Sequence, residues 1–103
     1  MYQLEFLPIA KQDIDSIIDY ISNHLKNKTA ALNLSKCFIE NANNILIFPY
    51  SFPCYRTTST LRKNYRSIKV KNYLMFYTIN EKDKIITIAR VLYQKMDINS
   101  RLN

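Results

Sequence analysis

Glycine and tryptophan are absent from the sequence, and cysteine and histidine are scarce, with two copies and one copy. Without glycine the chain has neither a P-loop nor a Rossmann fingerprint, because both need glycine to bring backbone amides close to phosphate. The two cysteines, Cys37 and Cys54, are too few for a disulfide framework and lack the paired spacing of a zinc site. The single histidine, His24, argues against a nuclease built on two histidines. We therefore expect no metal, no cofactor and reduced thiols.

Long hydrophobic runs are also missing. No apolar stretch approaches the ~20 residues needed to cross a bilayer, and the N-terminus lacks the basic-then-apolar pattern of a signal peptide. We expect a cytoplasmic protein with no membrane partner. Of the 103 residues, 48% are hydrophobic and 13% aromatic, which is typical of a folded chain and not of a disordered one. At this length, residues 1–103 are predicted to form a single domain.

Charge is unevenly distributed along the chain, whose formal net charge is +7. Residues 1–48 carry four basic and five acidic side chains, a net of −1, whereas residues 49–103 carry eleven basic and three acidic ones, a net of +8. Such a field attracts polyanions or an acidic protein; a solvated lysine-rich surface is the alternative. One run of cations holds no acidic residue, and its members are Arg56, Arg62, Lys63, Arg66, Lys69 and Lys71.

The first half of the chain shows one strand pattern and two helix patterns. Residues 2–7 alternate between apolar and polar side chains and predict a strand. Apolar residues from Ala10 to Leu25 recur at helical spacing and predict a helix that fades at Asn27. Thr29 is suited to cap a second helix, which should end before Pro49 because the residue preceding a proline avoids the helical region.

The second half predicts strands. Residues 49–64 carry two prolines and a Ser/Thr run and predict an irregular loop. Residues 65–70 and 73–79 are predicted to be strands joined by a two-residue turn at Lys71–Asn72. In this turn Asn72 should take the positive φ that glycine usually supplies. The tail after residue 92 predicts a short helix or coil. The order β-α-α-β-β-β favours an α+β fold, with two helices packed on one face of a mostly antiparallel, twisted sheet. The predicted strands are residues 65–70, 73–79 and 85–92.

Three residues near the end of the last strand are candidates for binding. Arg90 interrupts an apolar run, and an arginine at a strand end can hold a phosphate or a carboxylate; an ion pair with Asp97, Glu5 or another carboxylate is the alternative. Tyr93 can stack on a base or donate a hydrogen bond, or it can cap the core. Lys95 follows directly.

Nuclease chemistry has little support from the residue types. Cleavage of RNA through its 2′-hydroxyl needs a base, charge stabilisation at the phosphate and help for the leaving oxygen. We expect His24 to lie far from the cations, so this chemistry would fall to lysine and tyrosine, whose free pKa values lie near 10. The cysteines are expected to be small buried apolar groups. A solvated helix face is expected to carry Asp13, Asp15 and Asp19.

The order and spacing of five segments resemble the RelE/ParE superfamily of toxins from bacterial type II toxin–antitoxin systems. The resemblance covers nearly the whole chain and implies two helices packed on a twisted antiparallel sheet. It also implies a small basic toxin that an acidic antitoxin wraps and neutralises. The segments are Leu7–Ile14, Ile18–Ile21, Phe48–Pro49, Tyr65–Tyr77 and Ile88–Asp97.

The resemblance implies one of two targets. RelE-like members enter the ribosomal A site and cut mRNA, whereas ParE-like members inhibit DNA gyrase. RelE-like nucleases carry an arginine directly after the tyrosine that opens the central strand, but here Tyr73 is followed by Leu74. They also carry an arginine or histidine shortly after the last strand, where this chain has Gln94 and Lys95. The resemblance therefore favours gyrase inhibition; mRNA cleavage is the alternative, and a basic nucleic-acid-binding module a third reading.

These arguments define two sets of candidate residues. For a nuclease, the catalytic candidates are Arg66, Lys69, Arg90, Tyr93 and Lys95. The surface that meets the target or the antitoxin is predicted to comprise Arg56, Arg62, Lys63, Arg66, Lys69, Lys71, Arg90, Tyr93 and Lys95.

Overall fold

The structure is a computed structural model that describes residues 1–55 and 64–102, apart from the side chain of Asn99. Helices pack against a four-stranded, mostly antiparallel sheet, so the predicted α+β class is confirmed. The elements are β1 (Gln3–Phe6), α1 (Pro8–Asp19), a π-helical turn (Tyr20–His24), α2 (Lys28–Ile47), β2 (Arg66–Val70), β3 (Tyr73–Asn80), β4 (Ile85–Tyr93) and α3 (Ile98–Leu102).

The sheet joins the two ends of the chain. Its strands stand in the order β1-β4-β3-β2. β1 runs parallel to β4, with Phe6 opposite Ile88, while β4, β3 and β2 are antiparallel neighbours. Val70 pairs with Tyr73, which confirms the predicted two-residue turn between β2 and β3. The first strand therefore depends on the last one for its backbone hydrogen bonds.

The main core lies between the sheet and the two long helices. Side chains alternate along β3, so that Met75 and Tyr77 reach this core. On α2, buried residues recur at helical spacing, from Ala31 through Phe38 to Ile45. This agreement of two periodicities explains why the helices cover one face of the sheet. The core members with no more than 2% exposure are Ala10, Ile45, Val70, Met75, Tyr77, Ile86, Ile88 and Val91.

A second, smaller cluster covers the opposite face of the sheet. Phe76 and Leu92 point to this face because they alternate with the residues of the main core. The short helix α3 packs on them through Ile98 and Leu102, which are both 5% exposed. The tail is therefore a structural part of the fold. The buried members of this cluster are Tyr65, Phe76, Ala89, Leu92, Ile98 and Leu102.

The junction between α1 and α2 differs from the prediction. A π-helical turn extends α1, and Lys26 then takes a positive φ of 51° and reverses the chain. Asn27 caps α2, since its side-chain oxygen accepts the backbone N–H of Ala30 at 3.0 Å. The expectation that Thr29 is the cap was wrong by two residues; asparagine is at least as good an N-cap as threonine.

Lysine also occupies the tight turns of the sheet. Lys71, and not Asn72, takes the positive φ of the β2–β3 turn, at 56°, and Lys84 has the same value in the β3–β4 turn. The prediction for Asn72 was wrong. In a chain without glycine, three lysines thus adopt a backbone conformation that costs energy for any residue with a Cβ.

The two cysteines differ in exposure. Cys37 is half-buried and Cys54 is exposed, so the expectation of two buried thiols was wrong for Cys54. Cys54 lies in the part of the predicted loop that the structure describes. Its backbone forms an isolated antiparallel β-bridge with Arg66, the first residue of β2. None of the helices in the described ranges has the length and apolarity required to cross a membrane.

Candidate functional site

The structure separates the predicted site residues into two groups along β2. Arg66 begins the strand, whereas Lys69 lies three residues further on, about 10 Å away, and Lys71 lies just beyond the end of the strand. The described members therefore do not form one continuous patch. Three of the predicted residues lie outside the described ranges, namely Arg56, Arg62 and Lys63.

The side chain of Arg66 makes contacts that hold the fold together. Its guanidinium donates to the carbonyl oxygen of Phe52 at 2.7 Å and lies 5.1 Å from the centre of the Tyr50 ring. These contacts hold the segment that follows α2 against the start of β2. In the same region the buried hydroxyl of Tyr77 donates to the carbonyl oxygen of Pro49 at 2.6 Å. Arg66 thus has a structural role that the sequence did not reveal.

Arg90 is bound by a carboxylate from α1. Its Nε and Nη2 atoms donate to the two oxygens of Asp13, at 2.8 and 2.9 Å. The side chains are 16% and 13% exposed, so water competes weakly for this pair. The hydrogen bonds that Arg90 donates to Asp13 raise the pKa of Arg90. The ion-pair alternative proposed for Arg90 is therefore realised, and the expectation that Asp13 belongs to a solvated face was wrong.

A bulge in the sheet explains this geometry. The pairing of β4 with β3 shifts between Ile88 and Arg90, which leaves one extra residue on β4. A bulge of this kind turns a side chain away from its regular direction. β1 has already ended at this point, so the backbone N–H of Val91 has no strand partner on that side and donates to Asp13 at 3.0 Å. The Asp13 carboxylate therefore accepts hydrogen bonds from two groups of β4, the backbone N–H of Val91 at its unpaired edge and the side chain of Arg90.

The other predicted residues meet at the end of the sheet formed by the β2–β3 turn and the end of β4. The backbone N–H of Gln94 donates to the carbonyl oxygen of Asn72 at 2.9 Å and extends the pairing beyond the strands. The Tyr73 and Tyr93 rings meet edge to face, with centres 5.8 Å apart. The exposed cations at this end are Lys69, Lys71 and Lys95.

A cleft of about 510 Å³ opens between this end of the sheet and the π-helical turn. Tyr20 and Leu25 line it from the helical side, Lys71 and Tyr73 from the sheet. Burial raises the pKa of Tyr73, and the nearby hydroxyls of Tyr93 and Tyr20 raise it further. The Tyr73 hydroxyl therefore holds its proton more firmly than an ordinary tyrosine does. Sequence reasoning missed Tyr20 and Tyr73 because only the fold brings them together.

His24 ends the π-helical turn and contacts a residue that lines the cleft. Its ring stacks on Tyr20, with centres 5.4 Å apart, and Tyr20 shares the cleft with Lys71. His24 itself does not line the cleft, and its expected distance from the cations stays a prediction.

A smaller pocket of about 190 Å³ lies beside the cleft, and Tyr73 forms part of both walls. Asp13, Arg90, Tyr93 and Arg101 are among the residues that line it. The carbonyl oxygen of Arg101 also accepts a hydrogen bond from Arg90 at 3.1 Å. Among the described residues, no three His, Cys, Asp or Glu side chains come together as potential metal ligands.

Comparisons with known proteins find one matching family and several solved structures with a similar fold. Residues 4–98 match the family described as the ParE toxin of type II toxin-antitoxin system, parDE. The fold is similar to a chain of the chromosomal ParDE system from P. aeruginosa, at a TM-score of 0.71 and 19% identity, covering 90% of this chain and 96% of that one.

Two further solved structures share the fold. The archaeal RelE-RelB complex from Pyrococcus horikoshii OT3 gives a TM-score of 0.61 at 16% identity, over 91% of this chain and 96% of that one. The E. coli DinJ-YafQ complex gives 0.51 at 16% identity, over 90% and 93%. No curated protein matches the sequence.

Proposed function

The chain belongs to the family of ParE toxins of type II toxin–antitoxin systems, and we propose that it arrests growth by binding DNA gyrase and that an acidic antitoxin neutralises it. In this proposal the protein acts by occupying its target and breaks no bond in a substrate. The exposed cations and tyrosines at the end of the sheet form the contact surface, because long-range attraction to an anionic partner speeds encounter and orients it.

The ion pair between Arg90 and Asp13 carries this proposal. A nuclease needs a cation free to stabilise charge on the scissile phosphate. The guanidinium of Arg90 already spends two donors on Asp13 and one on a carbonyl oxygen. Arg66 is similarly bound to the carbonyl of Phe52. Two of the five candidate residues for RelE-like cleavage therefore support the fold, which favours a binding role.

Two observations support an acidic antitoxin as the partner: the charge of this chain and the systems to which similar proteins belong. The P. aeruginosa relative belongs to a ParDE system and the P. horikoshii relative is a RelE-RelB complex. The net charge of +8 over residues 49–103 favours an acidic partner.

Parallel assays of the purified protein test the gyrase proposal. Supercoiling by gyrase should fall as the protein is added, while mRNA in ribosome complexes stays intact. Lys95→Ala should weaken inhibition, since it removes an exposed cation at the contact surface. Lys82→Ala removes a lysine from the β3–β4 turn, away from that surface, and should leave inhibition unchanged. Unimpaired supercoiling together with mRNA cut inside ribosome-bound codons would overturn the proposal.

Ribosome-dependent mRNA cleavage is the second candidate function. One observation favours it: Tyr20 lines a cleft together with Lys71, and the His24 ring stacks on Tyr20. If this reading holds, Lys69→Ala should abolish cleavage without unfolding the protein, and His24→Ala should reduce it. Under the gyrase proposal His24→Ala leaves growth arrest unaffected.

A further inference from the structure

The long helix α2 carries a stripe of exposed apolar side chains on the side turned away from the sheet. Leu32, Ile39 and Ile47 are 57%, 62% and 65% exposed, and Phe48, directly after the helix, is 58% exposed. We propose that this stripe is the contact between two copies of the chain, which pair their α2 helices antiparallel about a twofold axis near Ile39. The proposal goes beyond the proposed function and does not depend on it.

The stripe is separate from the side of α2 that packs in the core. Ala31, Phe38 and Ile45 recur at helical spacing and are buried. Leu32 and Ile39 each lie one residue further along, which turns them by about 100° around the helix. Single apolar residues on a surface need no explanation, but a row of them on one side of one helix forms a patch that marks a contact site.

The spacing along the stripe makes it complementary to itself. Ile39 lies near the middle of the interval between Leu32 and Ile47. In an antiparallel pair centred on Ile39, this residue meets Ile39 of the partner subunit, and Leu32 at the start of one helix lies beside Ile47 at the end of the other. A twofold contact uses the same surface on both copies and closes on itself. The stripe therefore predicts a dimer and not an open chain of copies.

Charged side chains beside the stripe are also complementary under this symmetry. Lys36 and Glu40 are exposed neighbours on one flank of it, and neither forms a salt bridge within residues 1–55 and 64–102. In the antiparallel pair, Lys36 of one copy and Glu40 of the partner subunit share a flank and lie about 3 Å apart along the helix axis. Opposite charges therefore meet twice in the contact, which favours this register.

The distribution of net charge identifies a second copy as the occupant. Residues 1–48, which include α2, carry a net charge of −1, whereas the positive charge is concentrated in residues 49–103. A lipid surface or a nucleic acid would call for several cations beside the apolar stripe, but the charged residues of α2 are two lysines and one glutamate. Two copies can therefore meet through surfaces that are nearly neutral.

The size of the stripe predicts a weak dimer. Helix α2 has 20 residues and is about 30 Å long. One exposed side of a single helix, even when Phe48 extends it, offers less than the ~800 Å² that each partner buries in a standard stable interface. We therefore expect monomer and dimer to exchange, with a dissociation constant in the micromolar range.

Sedimentation equilibrium of the full chain across the micromolar range tests the proposal. The wild type should shift from monomer to dimer as its concentration rises. Ile39→Lys sets two like charges against each other at the twofold axis and should weaken the dimer at least tenfold. The matched control Asn44→Lys adds the same charge on another exposed side of α2 and should dimerise as the wild type does.

Charge reversal tests the antiparallel register. Lys36→Glu and Glu40→Lys each bring like charges together across the contact, and each should weaken the dimer several-fold. A chain that carries both changes has opposite charges facing each other again and should recover most of the wild-type affinity. Such recovery requires that these two side chains of different copies meet.

Several results would overturn the proposal: a wild type that stays monomeric throughout, a dimer that Ile39→Lys leaves unchanged, an equal loss in Asn44→Lys, or no recovery in the double reversal. Thermal unfolding of each variant shows whether the fold is kept. Binding of a monomeric wild type to vesicles of phosphatidylcholine and phosphatidylglycerol, abolished by Ile39→Lys, would assign the stripe to a membrane surface instead. Gyrase takes no part in these measurements, so their failure would leave the proposed function untouched.

Discussion

Arg90 and Asp13, 77 residues apart in the sequence, join by two hydrogen bonds of 2.8 and 2.9 Å between the last strand and the first helix. The same carboxylate accepts the backbone N–H of Val91. The pair fixes the position of α1 on the sheet beyond the end of β1. Arg90, for which the sequence left open a bound phosphate or carboxylate and an ion pair, thus stabilises the fold through the ion pair.

Removal of the Asp13 charge should destabilise the protein. Asp13→Asn leaves the guanidinium of Arg90 without its counter-ion in a largely buried position, and we expect a loss of about 2–3 kcal/mol in the free energy of unfolding. Urea denaturation measures this loss. Asp15→Asn, on the exposed side of the same helix, is the control and should change stability by less than ~0.5 kcal/mol. Equal stability of the two variants would contradict the structural role of the pair.

The buried hydroxyl of Tyr77 should make the fold sensitive to alkali. Burial raises the pKa of Tyr77 to about 12, above the ordinary value of 10.0. Because the folded-state pKa is raised, the stabilisation is complete below pH 10 and is lost as the pH rises towards 12. Tyr77→Phe should cost about 1–2 kcal/mol at neutral pH by leaving the Pro49 carbonyl unpaired, and should flatten the decline above pH 10. Stability curves against pH test both effects, with exposed Tyr20→Phe as the control.

Glu81 should make the fold sensitive to acid. Hydrogen bonds from Lys84, Tyr50 and Tyr2 hold the pKa of Glu81 at about 2, below its ordinary 4.5. Because the folded-state pKa is lowered, the stabilisation is present above pH 4.5 and is lost as the pH falls towards 2. An NMR titration of the Glu81 carboxyl should show a midpoint well below 4. In Glu81→Gln, the melting temperature should depend less on pH in this window; an unchanged slope would count against the contact network.

Replacement of Lys26 by glycine should stabilise the protein. Its φ of 51° is unfavourable for a residue with a Cβ and free of penalty for glycine. We expect Lys26→Gly to raise the free energy of unfolding by up to ~1 kcal/mol. Lys36→Gly, at an exposed position inside α2, should lower it by about 1 kcal/mol. Opposite signs in chemical denaturation of the two variants would bear out the assignment; a loss in both would refute it.

Local patterns predicted the elements well because the forces that form them are local. The alternation in residues 65–70 and the helical spacing from Ala31 to Ile45 reflect which side chains reach the core, and both appear in the structure. The neighbouring choices between Asn27 and Thr29, and between Lys71 and Asn72, were wrong because each pair offers two acceptable residues within one turn. Tertiary packing, which the sequence does not display, decides between them.

The site was less predictable because its parts are distant in the sequence. The bulge that redirects Arg90 involves pairing between two strands, and its partner Asp13 belongs to another element. Likewise, the carbonyl groups that bind Arg66 follow from the path of the chain after α2. Residue type correctly marked Arg90 as an interruption of its apolar strand. It could not distinguish a cation that awaits a partner from one that already has it.

The parallel pairing of β1 with β4 bears on how the protein is made. β1 precedes β4 in the chain by about 80 residues, yet β4 supplies its strand partner and ends only at Tyr93. During synthesis, Gln3–Phe6 therefore has no strand to pair with until Ile85–Tyr93 has been made. The complete four-stranded sheet, including the end at which Tyr73 meets Tyr93, forms only after β4 has left the ribosome.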